Sequence, residues 1–269
     1  MASEASEPKD EARALIASAH ALVRELIEEG VSEFPRAAAA EVASVATTAK
    51  AAAPAKRAET RESPKVSVAE ELTPGPEIPP WGDRRPELEE VQNHLGDCKR
   101  CGLCEGRRSI VFGDGNPNAD LMFVGEGPGE QEDLRGLPFV GRAGDLLTQM
   151  IEKGIGIPRS EVYICNIVKC RPPRNRNPLP AEVSACRPFL DGQIRAVAPK
   201  VIVTLGKPAA SLLLGRDVAI TKIRGTWQSY QDIPLMPTLH PAYVLRQYTT
   251  ETRRAVWQDL QAAIERTRA

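Results

Sequence analysis

Four short apolar runs rich in β-branched residues constrain this chain more than any other feature. They lie at 121–124, 162–167, 201–205 and 235–239, and helical patterns separate or follow them at roughly 143–153, 180–197, 207–214 and 250–267. Strands alternating with helices predict an α/β domain around a mainly parallel sheet. In such sheets ligands gather beyond the carboxyl ends of the strands. The loops that follow the runs are therefore where chemistry is expected.

The pattern is confined to the second part of the chain. Residues 1–85 hold 20 Ala and 8 Pro, no Cys, and only Phe34 and Trp81 as large aromatics. Residues 35–80 carry too few large apolar groups to offset the entropy of ordering and read as linker. At 11–33, Leu15, Ala19, Leu22 and Leu26 recur at helical steps beside Ile16, Val23 and Ile27. That stripe predicts a helix, either solvent-exposed or a docking element for a partner protein or a self-pairing seam. The predicted organisation is a largely disordered extension over 1–85 and a catalytic domain over 86–269.

Charge divides at the same point. The whole chain has a formal net charge of −1, but residues 1–85 contain 11 basic and 15 acidic groups. The remainder holds 24 basic and 21 acidic groups, net +3. A mildly basic domain suits weak, salt-sensitive contact with an anionic backbone. No apolar run reaches 18 residues and no basic-then-apolar leader opens the chain. A cytoplasmic location without a membrane partner is the expectation.

Four loops carry unusual residues. The first run ends in Gly125-Glu126-Gly127-Pro128-Gly129-Glu130, a tight turn whose backbone can approach a ligand closely. It lacks a Gly-Lys-Ser/Thr ending, which excludes a P-loop, and its glycines miss the G-x-G-x-x-G spacing. Phe139 follows in Pro138-Phe139-Val140-Gly141. A loop Phe either folds back onto the core or offers a face to a flat ligand. Asn166 closes the second run; its amide can cap a turn or read a donor–acceptor edge. The next stretch has Arg171, Arg174 and Arg176 with no acid across 171–181, and is either a solvated loop or a contact for phosphates. His240 closes the fourth run before Pro241. Its convergence with three other such loops makes it a catalytic candidate.

The six cysteines cluster unevenly, more like a metal site than a disulfide framework. Cys98 and Cys101 form a CxxC pair, and Cys170 and Cys186 follow at a distance. Two near and two distant thiolates can staple the start of the domain to its middle. Cys104 and Cys165 read as small buried hydrophobes. Spacing alone leaves structural zinc and an iron–sulfur cluster both open.

Taken in order, Cys98-x-x-Cys101, Gly125 to Glu130, Pro138 to Gly141, Asn166-Ile-Val-Lys-Cys170-Arg-Pro-Pro, Cys186 and His240-Pro241-Ala242 resemble the family 4 uracil-DNA glycosylases. These are the iron–sulfur, thermophile-type branch of the uracil-DNA glycosylase superfamily. The resemblance runs from Cys98 to about Arg246 and covers none of 1–85. It implies a three-layer αβα sandwich with a four-stranded parallel sheet. It also implies a 4Fe-4S cluster on Cys98, Cys101, Cys170 and Cys186 that frames a DNA groove. A monomeric bacterial or archaeal protein associated with the nucleoid is the corresponding expectation, with uracil-containing DNA, single- or double-stranded, as partner. A replication or repair protein would dock through the extension.

The resemblance further implies base-excision repair by hydrolysis of the N-glycosidic bond of deoxyuridine, which releases uracil. Phe139 would stack on the extruded base. Asn166 would pair with the uracil edge. His240 would donate to uracil O2, assisted by backbone N–H groups of the Gly127–Gly129 loop. The superfamily's most active branch has an Asp where this chain has Gly127, so Glu126 takes a water- or substrate-orienting role. Leu245 and Arg246 are candidates to fill the vacated base stack, and Arg174 and Arg176 to hold DNA. The segment after Gly141 carries no basic, His-containing insertion, so turnover rather than covalent trapping is expected. No Lys is placed as a Schiff-base nucleophile, so strands should not be nicked. The competing expectations are a glycosylase for hypoxanthine or xanthine and a non-catalytic iron–sulfur DNA-binding or polymerase-accessory module.

Overall fold

In a computed structural model of the protein, the structure describes residues 79–268. The predicted helix at 11–33 and most of the predicted linker lie outside the described residues. In chain order the helices are α1 (Leu88–Leu95), α2 (Glu130–Arg135), α3 (Arg142–Gln149), α4 (Pro180–Val197), α5 (Lys207–Leu214), α6 (Ile220–Ile223), α7 (Pro241–Arg246) and α8 (Thr250–Arg268). The strands are β1 (Asp114–Gly115), β2 (Leu121–Gly125), β3 (Tyr163–Asn166), β4 (Val201–Leu205), β5 (Gln228–Tyr230) and β6 (Ile233–Thr238). They form one sheet in the order β1-β3-β2-β4-β6-β5.

The four central strands are parallel, and β2, β3 and β4 are buried along their whole length. Strands covered on both faces need continuous apolar sequence, which is why the runs stand out. Alternation along β2 sends Leu121 and Phe123 to one face and Met122 and Val124 to the other. The first face packs on Leu146 and Leu147 of α3 and on Val256, Leu260 and Ile264 of α8. The second packs on Leu190 and Ile194 of α4 and on Ala209 and Leu213 of α5. This is the expected three-layer αβα sandwich.

Two expectations need correction. The sheet has six strands, because β1 and β5 add short antiparallel edges to the four-stranded parallel core. Two- and three-residue strands are too short to show a period. Residues 79–85, expected in the extension, also pack onto the domain. Trp81 is buried among Val91, Leu95 and Phe189, with its ring edge-on to His94. Arg85 donates twice to the Ala196 carbonyl, at 3.1 and 2.8 Å, clamping this segment to the end of α4.

Candidate nucleobase site and cysteine centre

Parallel pairing brings the carboxyl ends of β2 and β3 level, with Gly125 opposite Asn166. Ile167 N donates to Gly125 O (3.0 Å) and Val168 N to Glu126 O (3.3 Å), extending the alignment past the strands. Asn166 is 1% exposed, and its Oδ1 has no hydrogen-bond partner. An unpaired buried carbonyl oxygen costs about 1–3 kcal/mol, so its persistence at a pocket wall points to a ligand donor. Gly125 is what lets it sit there. A Cβ at that position would overlap Asn166 Oδ1 and lie 2.6 Å from Phe139 Cζ.

Phe139 is buried and held at φ +53°, a left-handed conformation that side chains normally avoid. Three contacts hold its loop. The Glu132 carboxylate accepts from Val140 N (2.9 Å) and Gly141 N (2.8 Å), and also from Gly129 N (3.1 Å). Arg159 donates to Pro138 O (2.7 Å). At Gly144 of α3, any Cβ would overlap the Phe139 backbone. Glu132 thus ties the glycine-rich loop to the Phe139 loop, a role invisible until both loops are folded.

His240 is the N-cap of α7. Its Nδ1 accepts from Ala242 N at 3.1 Å, so the neutral ring carries its proton on Nε2. The ring centroid lies 5.7 Å from that of Phe139 at 35°. Burial first, then the Arg246 charge, push the imidazole down from 6.5 to about 4, opposed by Glu132. His240 is therefore a neutral N–H donor at physiological pH.

These groups converge on a cavity of about 590 Å³ that Glu126, Gly127, Gly129, Arg142, Arg176 and Arg246 also line. Burial pushes the Glu126 carboxyl above its ordinary value. Gly127 packs where a side chain would press on Val168 and Pro172. Arg246 is exposed at the rim, and Arg174 is exposed outside the cavity lining. Two expected DNA contacts are otherwise engaged. Arg176 makes a two-pronged ion pair with Glu182 (2.9 and 2.6 Å), and Glu182 also caps Leu179 N (2.7 Å). Leu245 is half-buried against the core, whereas its neighbour Tyr243 is exposed. On a single helical turn the apolar Leu finds the core before it finds a partner. A larger cavity of about 970 Å³ lies between α4 and α5. Its Arg187 and Lys207 are paired with Asp191 and Asp217, so it shows no reading group comparable to Asn166.

The cysteines of the predicted metal set come together from the start and the middle of the domain. Cys98, Cys170 and Cys186 are buried, Cys101 is half-buried, and all are free thiols. Among the described residues no three ligating groups close tightly enough to hold a single metal ion. The thiols nonetheless act on one another: Cys170 is influenced by Cys101 and Cys98, and Cys186 by Cys170 and Cys101. Burial pushes the Cys170 thiol up to about 11 and Cys186 up to about 12. Donors oppose it. Arg107 Nη1 lies 3.5 Å from Cys170 Sγ, Arg100 Nη1 lies 3.4 Å from Cys98 Sγ, and the Lys169 backbone N–H faces Cys186. Four sulfurs surrounded by N–H donors suit a thiolate-ligated group. Cys165 is buried in the sheet as expected, but Cys104 is half-buried rather than fully buried.

Fold and site together define a doubly wound α/β protein in which Phe139, Asn166 and His240 line one cavity at the carboxyl ends of the strands. Comparison with known proteins agrees. Residues 112–261 match the family model of the uracil DNA glycosylase superfamily. The chain is similar to the type-4 uracil-DNA glycosylase of Thermotoga maritima, 47% identical over 180 residues, which covers 65% of this chain and 92% of that protein. It is also similar to the type-4 enzymes of Sulfurisphaera tokodaii (45% identical, 64% of this chain and 81% of that protein) and Saccharolobus solfataricus (41% identical, 66% and 85%). The chain belongs to the uracil DNA glycosylase superfamily and, within it, to the type-4 family.

Proposed function

We propose that the protein is a monofunctional uracil-DNA glycosylase of base-excision repair: it hydrolyses the bond between uracil and deoxyribose in DNA and leaves an abasic site. The observation that carries this reading is the unpartnered, buried Oδ1 of Asn166 beneath Phe139 and beside His240. Oδ1 would accept from uracil N3–H while the amide N–H donates to O4. Cytosine reverses that pattern, and a site built on such bonds rejects the mismatch by roughly 10⁴-fold or more. The base must leave the duplex to reach the cavity, and Phe139 receives its face.

The C1′–N1 bond breaks with its electron pair going to N1. The resulting negative charge spreads to O2, where the Nε2–H of His240 donates, aided by backbone N–H groups of the Gly127–Gly129 loop. Fixed donors of this kind contribute about 3–4 kcal/mol each. Water then bonds to C1′ through its oxygen and releases its proton toward Glu126 or solvent. Glu126 adjoins Gly127 in the cavity lining; of the other lining carboxylates, Glu130 and Glu132, the latter is held by backbone N–H groups. Arg246 at the rim, with Arg174 outside it, would meet the DNA backbone.

Cys98, Cys101, Cys170 and Cys186 would hold a 4Fe-4S cluster. When bound, the cluster supplies a rigid tie between the start of the domain and α4, and hydrolysis requires no electron from it. Abasic-site formation on a uracil-containing oligonucleotide tests the reading. Asn166→Ala and His240→Ala should each cut excision at least 100-fold while abasic-DNA binding survives. Near-wild-type excision by either variant would remove that residue's role, and no excision by wild type would remove the function.

A further inference from the structure

Lys169 is fully buried, at 0% exposure. Its Nζ donates to Asn166 O at 2.6 Å and to the Gln193 side-chain carbonyl. Gln193 in turn donates to Phe112 O (2.8 Å) and Tyr163 Oη (3.0 Å). Among the described residues Lys169 makes no ion pair with any carboxylate. A buried cation without a counter-charge is strongly unfavourable. Sulfurs are its neighbours in the fold: Lys169 precedes Cys170 in the chain, its backbone N–H faces Cys186, and Cys170, Cys186 and Cys165 are all buried with it. Its backbone carbonyl accepts from Val111 N (2.8 Å), so the main chain here is fixed as well.

We propose that Lys169 is the counter-charge of the four-thiolate centre and the positioning residue that keeps Asn166 in register with it. The inference rests on the uracil-reading role of Asn166 and on the cluster held by Cys98, Cys101, Cys170 and Cys186. Thiolates brought to the centre neutralise the buried lysine. The lysine then fixes the Asn166 carbonyl, and with it the backbone from which the reading amide projects. Gln193 of α4 is the second anchor, about two turns along the same helix face from Cys186.

Two variants separate charge from hydrogen bond. Lys169→Met removes both; Lys169→Gln removes the charge and keeps a donor toward Asn166 O. Full-length proteins are purified with their iron and followed near 400 nm as a chelator strips the cluster. Single-turnover excision and KM are measured on the same samples. Both variants should lose the cluster about tenfold faster than wild type, as when a metal site loses an outer-shell partner. Only Lys169→Met should also raise KM for uracil-containing DNA strongly, with Lys169→Gln recovering most of it. Wild-type cluster retention in both variants overturns the inference, as does equal KM in the two. Should neither fold, Gln193→Met decides, because it leaves the cation in place. Wild-type cluster retention with raised KM supports the proposal, and loss as fast as from a cysteine-ligand variant overturns it. Wild-type protein lacking iron or excision would instead refute the underlying reading.

Discussion

Lowering the pH from 7.5 to 5 tests the central electrostatic claim, that His240 works as a neutral donor. The ring is buried against Phe139, its Nδ1 is already accepting from Ala242 N, and its pKa falls to about 4. At pH 5 such a group is about 10% protonated, whereas an unperturbed histidine would be about 97% protonated. At pH 5 the ring should thus be about 90% neutral, its Nδ1 still accepting from Ala242 N, instead of about 3% neutral. Single-turnover excision against pH is the assay. It is best run on Glu126→Gln as well, since burial raises the Glu126 carboxyl and its protonation adds a separate acid limb. In that variant the remaining limb should have its midpoint near 4. A midpoint near 6.5, or an imidazolium signal from His240 at pH 6 by nitrogen NMR, would refute the reasoning. Stability carries the same signature. Between 6.5 and about 4 the unfolded chain takes up a proton at this ring and the fold does not. The contribution is complete above 6.5 and declines as pH falls, by about 3 kcal/mol in all. His240→Gln should remove that part of the slope in denaturant titrations.

Other perturbations have expected outcomes. Gly125→Ala forces its new methyl into Asn166 Oδ1 and Phe139; excision should fall about 100-fold while circular dichroism stays native, and full activity would show that the two side chains move freely. Glu132→Gln weakens the bonds to Val140 N and Gly141 N, and urea unfolding should register a loss of about 2 kcal/mol with KM raised more than kcat lowered. Removing residues 1–78 should leave excision on short oligonucleotides unchanged, whereas a cut at 85 also removes buried Trp81 and should cost about 3–5 kcal/mol, read as a shift in denaturant midpoint.

The parts of the molecule legible in the sequence are those fixed by short-range pattern. The runs at 121–124 and 201–205 announce their strands because both faces are buried, so all their residues but Thr204 are apolar. Asn166 and His240 stand out as polar residues that end such runs. Glu132 was illegible because its partners, Val140 and Gly141, lie eight and nine residues on and meet it only through two turns. Arg176 reads as a free basic side chain until α4 brings Glu182 to it. Leu245 and Tyr243 sit on one short helix, and only the packing of α7 decides which is covered. Trp81 did carry a signal: a single tryptophan in an Ala/Pro-rich stretch is a large apolar group that needs something to pack against. Lys169 carried one too, as a lone charge between Val168 and Cys170 in an otherwise apolar segment.

The small strands β1 and β5 have a consequence for how the protein keeps company with itself. Parallel strands as apolar as β2 and β4 are strong templates for pairing with other chains if a sheet margin is left open. Here the margins are two and three residues long and run against the grain of the parallel core. β6, next to one margin, carries Pro234 and Pro237, which lack the N–H that an added strand would need. The sheet thus offers an incoming strand only a few rungs at either side, a geometry that disfavours fibrous self-association even though the four strands between are almost wholly hydrophobic.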